Sequence, residues 1–407
     1  MNRRHFLAHA GTAAAAALAW PRRLDALARD IGAAQDIWET VRAAFLIPAD
    51  RIYLNVGTLG PQPHVVVDAV VEHTRRVAMT YPPGVQWDEL KDSTAALLGG
   101  DPEGYVFPRN TTEAMNFVAN GLELGAGDEV LTTTHEHIGG LCCWQLIAAR
   151  RGIRLRQLAL PVPATSADEL LDVFRRALSP RTRVISVSHV TFTNGTVMPV
   201  REVAALCRER GIVCVVDGAH PPGMMRVDVR AIDADFYASS PHKWLCAPQG
   251  SGLLYMREEW RTRLWPTLAS GDWDNTALGA HRFNHLGSFD ESRLAGLLAA
   301  LRLHETIGAD RIEARVRQLD QLLLDRLAGL PRVRIMSPTA PALGIGLIAF
   351  MVDGIPSLEL QRRLAEAANI RTRVVSEYGY NWMRLSPHIY NRVEELDRTV
   401  DVIADML

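Results

Sequence analysis

From about residue 60 to 300 the chain alternates short β-branched runs with amphipathic stretches. The runs DEVLTT (128–133), IRLRQLAL (153–160), TRVISVSHV (182–190), IVCVVD (212–217), DFYAS (235–239) and GLLYM (252–256) read as strands with little polar alternation. Between them, SADELLDVFRRAL (166–178) and VREVAALCRERG (200–211) space their apolar residues as helices do, the second closed by a glycine. Strands apolar on both faces and separated by helices predict an α/β fold with a mostly parallel sheet covered on both sides. Ligand sites in such sheets lie at the carboxyl ends of strands.

After about residue 300 the rhythm changes. A helical stretch over 297–330 leads into RVRIMSP (332–338), an apolar run GIGLIAFMV (344–352), a helix SLELQRRLAEAA (357–368), and short strands around RTRVV and WMRLS. This pattern predicts a smaller α+β domain over 301–407, joined by residues 35–59, beside a large domain over 60–300.

The first thirty residues form a separate object. MNRRHFLAHAGTAAAAALAW carries a twin arginine (Arg3, Arg4), then Phe6 and Leu7, a weakly apolar alanine-rich stretch, and Ala17-Leu18-Ala19 before Trp20. Residues 1–30 read as a twin-arginine signal peptide, which predicts a periplasmic or exported protein; a transit peptide or a plain amphipathic helix is the alternative. No later stretch reaches the roughly 20 apolar residues of a membrane span. With 48% hydrophobic and 22% charged residues and a net charge of −2, the composition fits a globular protein and points to no nucleic-acid partner. Five cysteines, two of them adjacent, make no disulfide or zinc framework and read as small buried residues.

Candidate chemistry sits at the strand ends. Asp217 stands at the carboxyl end of IVCVVD, where an unpaired carboxylate would be costly, so it should face a cation or donor. Lys243 ends the next strand-like run, in SSPHKWL. Asn110, Thr111 and Thr112 open the helix NTTEAMNFVANGL (110–122), leaving amide hydrogens and hydroxyls for an anion. Acid, amine and anion cradle match the needs of pyridoxal phosphate: a partner for its ring nitrogen, an amine for its aldehyde, a seat for its phosphate. Each piece alone has a bland reading, as a turn with a solvated acid, a surface charge pair or a plain helix cap. His135 and His137 could be a metal pair, but no third ligand at fixed spacing supports them.

In these motifs the sequence resembles the class V aminotransferases, fold-type I pyridoxal phosphate enzymes that include cysteine desulfurases and isopenicillin N epimerase-like proteins. The resemblance runs from about residue 50 to the end. It implies a fold-type I architecture, a likeness to aspartate aminotransferase, a homodimer with shared active sites, and pyridoxal phosphate bound to Lys243 as a Schiff base. It further implies that Asp217 pairs with the ring nitrogen, that His220 sits near the phenolic oxygen, and that His137, in the Glu136-His137 motif completed by Trp144, stacks on the ring. Ser240, His242, Thr111 and Thr112 would hold the phosphate, and Ser288, in RFNHLGSFDES, would reach the partner subunit's phosphate. Arg384, in MRLSPHIYN, would grip the substrate carboxylate, with Asn55 beside the substrate.

Two departures from the family pattern stand out. Residues 247–407 contain no cysteine, so the persulfide chemistry of desulfurases has no nucleophile there. Phe192 replaces the asparagine that many members place near the phenolic oxygen, leaving that contact to His220 or to a threonine such as Thr191. Both favour the epimerase-like branch, acting on an amino acid or the amino-acid part of a larger natural product, such as a siderophore matured outside the cytoplasm. A carbon–sulfur lyase without a persulfide cysteine is a second expectation. A nicotinamide-dependent oxidoreductase or binding protein would want G-x-G-x-x-G at a strand-to-helix turn, and QGSGLL (249–254) instead leads into a strand.

Overall fold

The structure, a computed structural model, describes residues 19–79 and 84–407. Arg3, Arg4 and most of the expected leader lie outside the described residues. Strands β1 (Tyr105–Val106), β2 (Glu129–Thr133), β3 (Arg154–Leu158), β4 (Thr182–Ser188), β5 (Val213–Asp217), β6 (Phe236–Ser239) and β7 (Leu253–Met256) form a seven-stranded sheet in the order β1-β7-β6-β5-β4-β2-β3. Strands β2 to β6 run parallel, while β7 pairs antiparallel with both β6 and β1. This is the mainly parallel fold-type I sheet expected from the sequence.

Successive residues of each central strand feed opposite cores, which is why these strands lack polar alternation. Val130, Val184, Val215 and Phe236 pack on one side with Phe117, Trp144 and Ile147. Leu131, Ile185, Val216 and Tyr237 pack on the other with Leu170, Phe174 and Val203. Strand β3 (RLRQL) is largely exposed, and its two arginines blunt the sheet edge.

The C-terminal part builds a four-stranded antiparallel sheet of Arg373–Val375, Trp382–Leu385, Ile348–Val352 and Val333–Ile335, in that order. Leu319, Leu323, Phe350, Leu364, Met383 and Ile403 form its core with the helices Ala309–Ala328, Ser357–Ala368 and Val393–Ala404. Ile52–Tyr53 pairs in parallel with Ile370–Arg371. The helical stretch at 297–330 is broken into Ser292–Ile307 and Ala309–Ala328 by Gly308, whose φ of 96° suits a residue without Cβ. The first of these helices lies in the large-domain core, while the second gives that core Ile312 and Val316 and the small-domain core Leu319, Leu323 and Leu327.

Helix Ala19–Ala33 packs against His64–Met79 and Ser292–Ile307, burying Leu27 and Ile31. Residues 19–30 fall inside the span expected to be a leader, yet they belong to the packed body. Among the described residues no helix is long and apolar enough to cross a membrane. A chain beginning at residue 34 is expected to melt below one beginning at residue 19, and Ile31→Ala to cost about 3 kcal/mol. Equal melting temperatures by calorimetry would show that this helix contributes nothing to the fold.

Candidate active site

The carboxyl ends of β2, β4, β5 and β6 converge on one cavity of about 270 Å³. Strand β5 ends at Asp217 and turns through Gly218 to His220; β6 ends at Ser239 and turns through Ser240 and His242 to Lys243. Strand β2 runs into His137, which caps helix Ile138–Arg151, its Nδ1 accepting the Gly139 amide at 3.1 Å. Thr111 and Thr112 open helix Thr111–Gly121, with Asn110 as its cap. Thr111, Thr112, His137, Asp217, His220, Ser240, His242, Lys243 and Arg384 all line this cavity.

Burial raises the Asp217 carboxyl above the usual carboxylate range, and the nearby Lys243 ammonium opposes that shift. Burial lowers Lys243 to about 8, with Asp217 pulling it up and Arg384 and Arg373 pushing it further down. The Lys243 Nζ lies 3.3 Å from His220 Nε2, and Trp244 Nε1 donates to His220 Nδ1 at 3.1 Å. Burial keeps His220 neutral, so with Nδ1 accepting, the ring proton sits on Nε2 and faces the lysine. His137, lowered to about 3 by burial and by Lys243, is also neutral and meets the Phe192 ring edge-on at 5.1 Å.

A hydroxyl cradle lies at the helix start. Thr111 Oγ1 is 2.7 Å from Ser240 Oγ, which also accepts the Thr111 amide at 3.2 Å. His242 Nδ1 is buried with no partner among the described residues, and burial holds that ring neutral, lowered to about 4. Arg384 is fully buried; it donates to the Phe192 carbonyl at 2.6 Å, to Thr58 Oγ1 at 3.1 Å and to Asn55 Oδ1 at 3.5 Å. Asn55 therefore stands behind the cavity wall, holding Thr58 and Arg384. Ser288 is exposed and lies outside the cavity of its own chain. Thr191, one candidate for the phenolic oxygen, is committed elsewhere: its hydroxyl donates to Asn194 at 2.7 Å.

Several cavity residues escaped the sequence reading. Arg373 lines the wall beside Arg384, and Ser188 lines it at the end of β4. Glu136 is fully buried beneath His137, accepting from Thr133 Oγ1 at 2.7 Å and Ser188 Oγ at 2.6 Å, and burial lifts it to about 7. One compositional signal was available: lysine occurs only twice among 44 basic residues, at Lys91 and Lys243. Lys91 is ion-paired with Glu103 at 2.9 Å. Where nearly every other cation is arginine, a lysine facing a cavity marks a need for an amine that can lose its proton.

A family model described as aminotransferase class V matches residues 78–399. The chain belongs to the aminotransferase class V family. Over 388 residues it is 31% identical to isopenicillin N epimerase of Streptomyces clavuligerus, covering 90% of this chain and 97% of that one. A cysteine desulfurase of Haloferax volcanii is 32% identical over 385 residues, covering 86% and 88%. Among solved structures, a mutant of C-DES with glycine covalently linked to its pyridoxal phosphate cofactor superposes with a TM-score of 0.80 at 27% identity, over 89% of this chain and 99% of that one. The complex of C-DES, a cystine C–S lyase, with cysteine persulfide gives 0.79 at 27%, over 88% and 98%.

Pyridoxal phosphate is the cofactor of this class V fold, and the cavity fits it chemically. The buried polar atoms His242 Nδ1 and Arg384 Nε have no partner among the described residues, which suits a site that receives a polar group. Gly140 leaves room that a Cβ would fill, standing 2.6 Å from Asp217 Oδ2. Since the neutral amine is the nucleophile and Lys243 is lowered to about 8, cofactor uptake by cofactor-free protein is expected to speed up about tenfold per pH unit below that value and to level off above it. Stopped-flow absorbance checks this; a rate still climbing at pH 10 would contradict the lowered value.

Proposed function

We propose that this class V protein is an exported pyridoxal phosphate enzyme of the epimerase-like branch, moving a proton at the Cα of an amino acid or of the amino-acid part of a larger natural product. The observation that carries the reading is the shared cavity of Asp217 and Lys243, with no cysteine among its lining residues. When bound, pyridoxal phosphate supplies an electron sink that makes a Cα bond easy to break. Asp217 would keep a proton on the ring nitrogen, since a negative neighbour favours the protonated form. His220 Nε2–H would serve the phenolic oxygen, a donor role that Phe192 cannot fill. Thr111, Thr112, Ser240 and His242 would hold the phosphate, and His137 would face the ring. Arg384 binds the α-carboxylate through its paired N–H groups, which orients Cα toward Lys243. The Lys243 amine, poised near 8, takes and returns the Cα proton.

A homodimer belongs to the same reading, in which Ser288, exposed on its own chain, would reach the phosphate of the partner subunit. The epimerase likeness extends over 97% of the Streptomyces clavuligerus protein. The second reading, carbon–sulfur lyase chemistry, draws on the likeness to C-DES, a cystine C–S lyase. The described cysteines other than Cys142 are buried, which fits a site that works without a persulfide cysteine. Export rests on Arg3, Arg4 and the alanine-rich segment.

In deuterium oxide the enzyme is expected to place deuterium at Cα of its substrate with the amine retained, and Lys243→Ala to slow this at least about a thousandfold. Mass spectrometry reads the outcome; loss of the β-substituent with keto acid release would favour the lyase. Replacing Arg3 and Arg4 by lysine is expected to leave the protein in the cytoplasm, as cell fractionation would show. Continued periplasmic accumulation would remove the twin-arginine assignment.

A further inference from the structure

Arg373 and Arg384 face each other across the small sheet. Strands Arg373–Val375 and Trp382–Leu385 pair antiparallel with Arg373 directly opposite Arg384, which puts both side chains on one face. Like charges in that position repel: Arg384 is lowered to about 9, by burial first and by Arg373 next, with Glu377 opposing. Both arginines line the cavity.

Their partners do not account for the pairing. Arg384 donates to neutral acceptors, the Phe192 carbonyl, Thr58 and Asn55, while its buried Nε has no partner among the described residues. Arg373 engages the Glu377 carboxylate through Nη2 and lies over the Phe192 ring at 5.6 Å, but its buried Nε is likewise unpartnered among the described residues. The cavity wall carries three cationic side chains, Lys243, Arg373 and Arg384, against one carboxylate, Asp217. The hydroxyls placed for a phosphate, Thr111 and Ser240, pair with each other on the large-domain side and contact neither arginine.

We propose that Arg373 is a specificity-determining residue: with Arg384 it forms a double cationic subsite selecting substrates that carry a second carboxylate besides the α-carboxylate. The inference rests on reading the cavity as an amino-acid site, and it narrows the substrate to an acidic amino acid or an amino-acid moiety ending in a carboxylate. Opposed residues on a sheet stand about 5 Å apart at Cβ, which suits two carboxylates separated by roughly two or three methylenes. Phe192 fits the arrangement as a spacer, giving its carbonyl to Arg384 and its ring face to Arg373.

Unreactive acids test this without catalysis. Calorimetric titration of the holoenzyme should show glutarate binding on the order of tenfold tighter than butyrate, a gap of about 1.4 kcal/mol. Arg373→Gln should bring glutarate down to the butyrate level and leave butyrate unchanged, Arg373→Lys should keep part of the preference, and Arg384→Gln should weaken both acids. Equal affinities in the wild type would overturn the proposal, as would a preference that survives Arg373→Gln. If Arg373→Gln does not fold, the wild-type ratio and Arg373→Lys decide. The yellow colour of the same sample reports the cofactor separately: coloured protein without a dicarboxylate preference sinks this inference alone, and colourless protein sinks the cofactor reading.

Discussion

An acid and a lysine share one interior cavity, and each opposes what burial does to the other. Burial raises Asp217 and lowers Lys243, while each pulls the other back toward its charged form. Removing one would take from the other the opposite charge that favours its ionised form. The sheet makes the arrangement possible: β5 and β6 are parallel neighbours, so their carboxyl ends deliver Asp217 and the Ser240-to-Lys243 turn side by side. Gly218 follows the acid because the Tyr237 ring occupies the place of any Cβ.

The other wall belongs to the small domain and is tied to the same turn. His388 Nε2 lies 2.8 Å from the Trp244 carbonyl, and Ser386 donates its amide to Leu54 at 2.9 Å, so the strand bearing Arg384 is fixed against the segment bearing Asn55 and Thr58. Phe192 is the joint between the walls. Its ring touches His137 and Arg373, and its carbonyl holds Arg384. An asparagine at this position could offer a donor but no ring to carry a guanidinium, which makes the substitution part of the substrate side of the site.

Much of this was legible in the sequence because the physics is local. Strands buried on both faces must be apolar throughout, so β2, β4, β5 and β6 stand out, and a helix start with Asn110, Thr111 and Thr112 announces its own cap. What stayed hidden depends on register and tertiary packing. No periodicity shows that Arg373 lies opposite Arg384, and although Glu136 stands out in its motif with His137, only the packing shows it buried with Thr133 and Ser188 as its partners. Gly308 sits within an unbroken helical pattern, and only its positive φ reveals that it divides two helices, the second of which bridges both cores. Helix Ala19–Ala33 follows directly on a leader-like segment, and its burial of Leu27 and Ile31 marks it as part of the body.

The claim beneath all of this is that Lys243 is the covalent anchor of the cofactor, poised beside Asp217. Because lysine occurs at only two positions, borohydride reduction of the loaded protein followed by peptide mass mapping gives a direct answer. The account predicts one pyridoxyl phosphate adduct per chain, on the peptide containing Lys243. An adduct on Lys91, or none on coloured protein, would contradict it.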